Sequence, residues 1–313
     1  MIIDILLLLV GIFFVWLGSE GVVKGSVQLA EHFGVSPLIV GLTVVAIGTS
    51  MPELVVSVLS SIKGHNEISL GNVLGSNIIN IAVILGLAAL IKPIAVARII
   101  LVRDMPIVVF ITLLVVGLAL LGNSLGRFDG LLLLALFVSY ILFTIHLAVR
   151  DNRRTTSVDG WEQPELKPTH IVFLFGGLLL LILGAEGMVR GAVSIAQAMG
   201  VSEAIIGMTI VALGTSIPEL AASAVAARRG QSELAIGNVV GSNIFNATFI
   251  LGAAATIRPI DKVMVGNEVN MLFFVLAVLL VFALMRIGRR LGRIDGLILL
   301  GFYCLSVWAL LAW

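Results

Sequence analysis

Residues 41–54 read GLTVVAIGTSMPEL, and residues 207–220 read GMTIVALGTSIPEL. GNVLGSNIIN over 71–80 returns in the same way as GNVVGSNIFN over 237–246. Both pairs are offset by 166 positions, as are Gly18/Gly184, Glu20/Glu186, Pro93/Pro259 and Asp129/Asp295, so the two halves align without a gap. Between 41–94 and 207–260, 29 of 54 positions are identical. A duplicated chain in which each copy plants a glutamate inside an apolar segment points to an ion pathway built between the copies.

The composition is that of an integral membrane protein. Of 313 residues 59% are hydrophobic and 12% charged, where a soluble domain carries about 25% charged residues. A net charge of +1 excludes a nucleic-acid footprint, and the lone Cys304 permits no internal disulfide. A span takes about 20 apolar residues. Such runs lie near 3–30, 38–62, 69–91, 105–122 and 129–149, and again near 170–198, 204–228, 235–257, 269–286 and 295–312. An odd number of spans per copy makes the second copy enter from the opposite side. The expectation is therefore an all-α membrane protein with ten transmembrane helices, arranged as two inverted five-helix repeats over 1–149 and 170–313. The first run lacks the basic start and the cleavage site of a signal peptide and reads as the first transmembrane helix. The polar stretch 150–169 reads as a linker, too short and too Pro-broken for a domain. Thirteen of the 19 Lys and Arg residues fall in loops on the linker's side and four on the other. That bias places the linker in the cytoplasm and both termini outside, in a multi-pass protein of the cell membrane.

The chemistry sits in the repeated motifs. Pro52 has no N–H to donate and its ring clashes with the carbonyl one turn earlier, so the second helix must open around Gly48 and Thr49. Backbone freed at membrane depth is tolerated only inside protein or along a polar cavity. Here it is accompanied by Thr49, Ser50 and Glu53, and in the second copy, from Ala212 on, by Thr215, Ser216 and Glu219. In the third and eighth helices Ser76 and Asn80 share a face, as do Ser242 and Asn246, each pair being four residues apart. Gly71, Gly75, Gly237 and Gly241 allow the broken helices to approach closely. The pooled ligands are two carboxylates, hydroxyls, side-chain amides and backbone carbonyls. No Cys or His joins them and Met51 is not repeated, so the set suits hard cations such as Ca2+, which takes about 6–8 oxygens, over soft metals. Two carboxylates together repel and are desolvated. One Ca2+ neutralises both, and Na+ ions do so separately, which is a physical basis for exchange.

With GTSMPE/GTSIPE and GNVLGSN/GNVVGSN, the chain resembles the cation/Ca2+ exchanger superfamily, and within it the Na+/Ca2+ exchangers of prokaryotic type. The resemblance covers essentially the whole chain. It implies a ten-helix inverted fold and antiport of Na+ against Ca2+ by alternating access, without enzymatic activity or cofactor, by a protein working as a monomer in the bilayer. It implies Glu53 and Glu219 as central ligands. Their neighbours would be Ala46, Thr49, Ser50, Ser76 and Asn80, with Ala212, Thr215, Ser216, Ser242 and Asn246, the alanines acting through their carbonyls. Proton-coupled members usually carry their glutamates in a GN-x-x-E pattern, which differs from GTS-x-PE here. Potassium-dependent members, and some prokaryotic ones, carry Asp where this chain has Asn246, and the neutral amide removes one fixed charge, so the resemblance implies no K+ cotransport. The rival readings are an H+/Ca2+ antiporter using the same glutamates and, from another class, a cation channel. Dense binding ligands in place of an open polar stripe speak against the channel. An intramembrane hydrolase lacks its constellation in the helices.

Other polar residues read as structural. Glu20/Lys24 and Glu186/Arg190, each four residues apart in the first and sixth helices, read as intrahelical ion pairs or interface anchors. Asp129 and Asp295 stand where the fifth and tenth helices begin, as caps. Asn72 and Asn238 read as stabilising the starts of the third and eighth helices. His32, His65, His146 and His170 lie near helix ends, as interfacial residues.

Overall fold

A computed structural model of the chain describes residues 2–156, 164–200, 212–261, 263 and 267–312. The first half opens with α1 (Ile2–His32). Its second span is broken, with α2 (Pro37–Thr49) and α3 (Met51–Lys63) meeting at a 48° bend. Then come α4 (Asn66–Ile91), α5 (Ile100–Gly122) and α6 (Arg127–Thr156). The second half contains α7 (Pro168–Ala198), the single turn α8 (Ala212–Gly214) and α9 (Ile217–Arg228). It continues with α10 (Ser232–Ile257), α11 (Glu268–Gly288) and α12 (Arg293–Ala312). Among the described residues, eight helices are long and apolar enough to cross a membrane, and the bent α2–α3 pair makes a ninth. The seventh expected span, 204–228, falls partly on residues 201–211, outside the described set.

Local chemistry sets these boundaries. Pro52 and Pro218 stand in the first turn of α3 and α9, where a missing N–H is harmless, and the chain bends just before them. Gly64 ends α3 in the left-handed region at φ 83, and Gly230 follows α9 at φ 78, so each chain reverses within a few residues into the next helix. At the starts of α6 and α12, Asp129 Oδ2 accepts from the Gly126 N–H at 2.8 Å, and Asp295 Oδ2 from the Gly292 N–H at 2.7 Å. Both aspartates are therefore caps, reaching back over the first turn. α6 outlasts its apolar run, continuing to Thr156 where the hydropathy ends near 149.

α4 and α10 are the most buried spans, and α1 and α12 are among the most exposed. The outer faces present large apolar side chains such as Leu121, Phe128 and Ile287, as a lipid-facing surface requires. α1 packs along α7. A Cβ on Gly18 would lie 2.7 Å from the Gly177 carbonyl oxygen, and one on Gly11 2.7 Å from that of Gly184. Rising positions on one helix meet falling positions on the other, so the two run antiparallel. Two short ribbons join the halves. β1 (Ile94–Ala95) pairs antiparallel with β4 (Arg290–Leu291), and β2 (Ser124–Leu125) with β3 (Ile260–Asp261). Ile94 faces Leu291 and Leu125 faces Ile260. Offset by 166, these are one contact made twice with the halves exchanged.

The expected ion pairs come out unequal. Arg190 Nε bonds Glu186 Oε1 at 2.5 Å within α7, as its spacing predicts. Glu20 instead pairs with Arg228 and Arg229 at the end of α9, and Lys24 sits 4.3 Å from the centre of the Phe173 ring. The intrahelical Glu20/Lys24 pair is thus corrected. A four-residue spacing cannot reveal a stronger partner about 200 positions away, and two guanidiniums outbid one flexible ammonium.

Candidate cation site

Each glutamate stands in the first turn of the helix after a break, Glu53 in α3 and Glu219 in α9. A helix start favours negative charge there, because its N–H groups lack intrahelical partners. The residue before each helix has the non-helical conformation of a break, with φ −82, ψ 11 at Ser50 and φ −91, ψ 6 at Ser216. The opening falls at Ser50, one residue beyond the expected Gly48–Thr49.

The halves then exchange partners. Ser50 Oγ donates to Glu219 Oε1 at 2.7 Å, and Ser216 Oγ donates to Glu53 Oε1 at 3.1 Å. Thr49 and Thr215 interact with the same carboxylates, Thr49 with Glu219 and Thr215 with Glu53. Both glutamates are 0% exposed, and each keeps its Oε2 without a hydrogen-bond partner. Among the described residues neither joins an ion pair. Two buried carboxylates with no basic neighbour are a costly arrangement that a bound cation relieves.

The expected ligands separate into two groups. Thr49, Ser50, Ser216, Glu53 and Glu219 are joined by the bonds just described, and Thr215 stands beside them, half-buried. Ala46 is fully buried, and its carbonyl accepts from Ser50 N at 3.1 Å, Thr49 Oγ1 at 3.4 Å and Ser242 Oγ at 3.5 Å. That brings Ser242 to the cluster. A Cβ on Gly241 would lie 2.6 Å from the Leu42 carbonyl oxygen, so only glycine lets α10 come this close to α2. Ser76, Asn80 and Asn246 are buried on α4 and α10, Asn246 one turn beyond Ser242, and among the described residues no hydrogen bond ties their side chains to the cluster. Asn80 and Asn246 each begin a π-helical turn, and neither side-chain atom of either amide has a partner. Leaving such a buried group unpaired costs about 1–3 kcal/mol, and six unpartnered oxygen and nitrogen atoms stand on these two asparagines and the two glutamates. Ala212 begins α8, and its side chain lies outside the described residues.

Asn72 and Asn238 do something else than start helices. α4 begins at Asn66 and the first turn of α10 at Ser232, six residues before each asparagine. Asn72 Nδ2 donates to the Glu53 carbonyl at 3.2 Å and to Ser57 Oγ at 2.9 Å. Asn238 Nδ2 donates to the Glu219 carbonyl at 3.3 Å and to Ser223 Oγ at 2.9 Å. Ser57 and Ser223 escaped the sequence reading, although both follow their glutamate by four residues, a spacing that puts them on its helix face.

The model of the family described as sodium/calcium exchanger protein matches residues 3–146 and again 169–312. The chain is 39% identical to the putative antiporter CaxA of Alkalimonas amylolytica, over 96% of each. It is 37% identical to the inner membrane protein YrbG of Escherichia coli, over 98% of this chain and 96% of that protein. It is 31% identical to the sodium/calcium exchanger MaX1 of Methanosarcina acetivorans, over 96% of each. Among solved structures, the sodium-calcium exchanger NCX_Mj soaked with Na+ and Sr2+ superposes with a TM-score of 0.86 at 32% identity, covering 98% of both chains.

Proposed function

The chain belongs to the sodium/calcium exchanger family, and on that premise we propose that it is a secondary antiporter exchanging Na+ for Ca2+ by alternating access. The observation that carries this reading is the crossed pair of bonds, Ser50 to Glu219 and Ser216 to Glu53, with one oxygen of each carboxylate left over. One Ca2+ between the carboxylates neutralises both charges. Separate Na+ ions do the same, so the two cargoes exclude each other through a shared pair of charges. The empty, doubly charged site is the state too costly to reorient. Thr49, Ser50, Ser76, Asn80, Thr215, Ser216, Ser242 and Asn246 supply further oxygens, with the carbonyls of Ala46 and Ala212. Asn246 adds no third charge, so K+ is not carried.

The reading includes ten spans in two inverted repeats, with the linker in the cytoplasm and both termini outside. The antiparallel packing of α1 on α7 and the twice-made ribbon contact support the inversion. The broken helices with α4 and α10 form the core. α1 and α7 slide across it, their glycines giving a smooth contact. The protein works as a monomer and needs no cofactor.

Equilibrium binding tests the shared site. Na+ titrated against Ca2+ on the purified protein should weaken Ca2+ binding, and Ca2+ should weaken Na+ binding by the same factor. Ca2+ binding that ignores Na+ would reject the shared pair.

A further inference from the structure

The Asn238 amide is polarised by its neighbours. Its Nδ2 faces the Glu219 carbonyl, 3.3 Å away, and a carbonyl can only accept, so the nitrogen must be on that side. The other end, Oδ1, therefore faces Thr49 Oγ1 at 3.2 Å. An amide oxygen can only accept, so Thr49 must be the donor. The result is a directed chain, Thr49 hydroxyl to Asn238 oxygen and Asn238 nitrogen to Glu219 backbone. It ties the first half's threonine to the second half's glutamate, and every member is buried.

A hydroxyl has one proton. While that proton points at a cation's position the oxygen cannot coordinate the cation, and once it is donated elsewhere the lone pairs are presented. Thr49 is surrounded by three acceptors: Asn238 Oδ1 at 3.2 Å, the Ala46 carbonyl at 3.4 Å and the Glu219 carboxylate. The last two belong to the proposed ligand set and turn their own lone pairs to a bound ion. Of these three, Asn238 Oδ1 alone lies outside the proposed ligand set, so a proton spent on it competes with no bond from a ligand atom to the ion.

We propose that Asn238 is a positioning residue for cation binding, which draws the Thr49 proton away from the site and so makes Thr49 an oxygen ligand, while the same amide holds the start of α9 beneath Glu219. Ser50 is set in the same sense, its proton spent on Glu219 Oε1 at 2.7 Å. Glu219 is thereby held at its backbone and at its carboxylate by consecutive influences from residues 49 and 50. The inference rests on the cation-exchange reading and adds to it a residue that does not touch the ion.

A double-mutant cycle on the full-length purified protein separates this role from packing. Ca2+ binding is measured calorimetrically in Na+-free buffer for the wild type, Asn238→Ala, Thr49→Val and the double variant. Asn238→Ala is expected to weaken Ca2+ binding about tenfold in the wild-type background, and by less than about twofold once Thr49→Val has removed the proton to be directed. Equal factors in both backgrounds would mean that Asn238 acts only as helix–helix glue, which overturns the proposal. Should Asn238→Ala fail to fold, Asn238→Ser is read in the same cycle, with the same two outcomes. A wild-type protein that binds no Ca2+ would instead reject the functional reading, and the proposal with it.

Discussion

Glu53 and Glu219 hold the only two fixed charges in the cluster of described residues, and each is gripped by a serine from the opposite half. Replacing either by Gln keeps the volume and the hydrogen-bonding oxygen but removes half of the charge that Ca2+ must find. Glu53→Gln and Glu219→Gln are each expected to lower Ca2+ flux by at least about 100-fold, since an uncompensated buried charge costs about 3–5 kcal/mol. Size-exclusion profiles and thermal unfolding of both variants should stay close to wild type, because no cavity is opened. Near-normal flux in either variant would contradict the two-carboxylate site. Both glutamates stand out in the sequence because a charge inside an apolar run has so few structural explanations. Asn72 and Asn238 do not stand out in this way. An asparagine near the start of a helix has an ordinary reading, and only the packing of α4 on α3 and of α10 on α9 turns these amides toward a glutamate backbone.

The proposed sliding of α1 and α7 depends on how their surfaces meet. Along α1 and α7 the contact is backbone on backbone, so Gly18→Val should jam it. The first added carbon already lies 2.7 Å from both the Gly177 oxygen and the Leu181 nitrogen. Such overpacking costs about 1–3 kcal/mol, to be seen as a lower melting temperature in detergent together with lost transport. The polar ties of these two helices differ in kind. Glu186 and Arg190 are 57% and 72% exposed on a single helix, a pair worth about 0.3–0.5 kcal/mol. Glu20 is 15% exposed and holds Arg228 and Arg229 at the end of α9. Glu20→Gln is therefore expected to lower the melting temperature clearly more than Glu186→Gln, and equal shifts would show that the interhelical tie adds nothing. Element positions were legible because hydropathy marks where a helix must be in lipid. It does not mark where the helix stops, so α6 runs beyond its apolar residues. The paired ribbons carry too few residues, two per strand, to leave a pattern.

The molecule as a whole is a duplication, and its 166-residue offset predicts most of its architecture before any coordinate is seen. What the offset cannot supply is the crossing of partners between copies. That a serine of one copy bonds the glutamate of the other is a fact of three dimensions, and each motif read alone suggests a self-contained cluster. The proposed inverted topology makes a labelling prediction. With Cys304 replaced by Ser, Ser157→Cys should react with a membrane-impermeant thiol reagent only after cells are opened, whereas Trp313→Cys should react on intact cells. Labelling of both from the same side would break the odd count of spans per copy. The central claim is that two shared carboxylates couple Ca2+ to Na+, and Ca2+ uptake into sealed vesicles under imposed gradients tests it most directly. Protein-containing vesicles loaded with Na+ and diluted into Na+-free medium should take up Ca2+, without any effect of K+ on either side. Lower pH should inhibit by protonating the pair, without itself driving uptake. Uptake driven by a pH gradient in Na+-free vesicles, or a strict requirement for K+, would contradict the account.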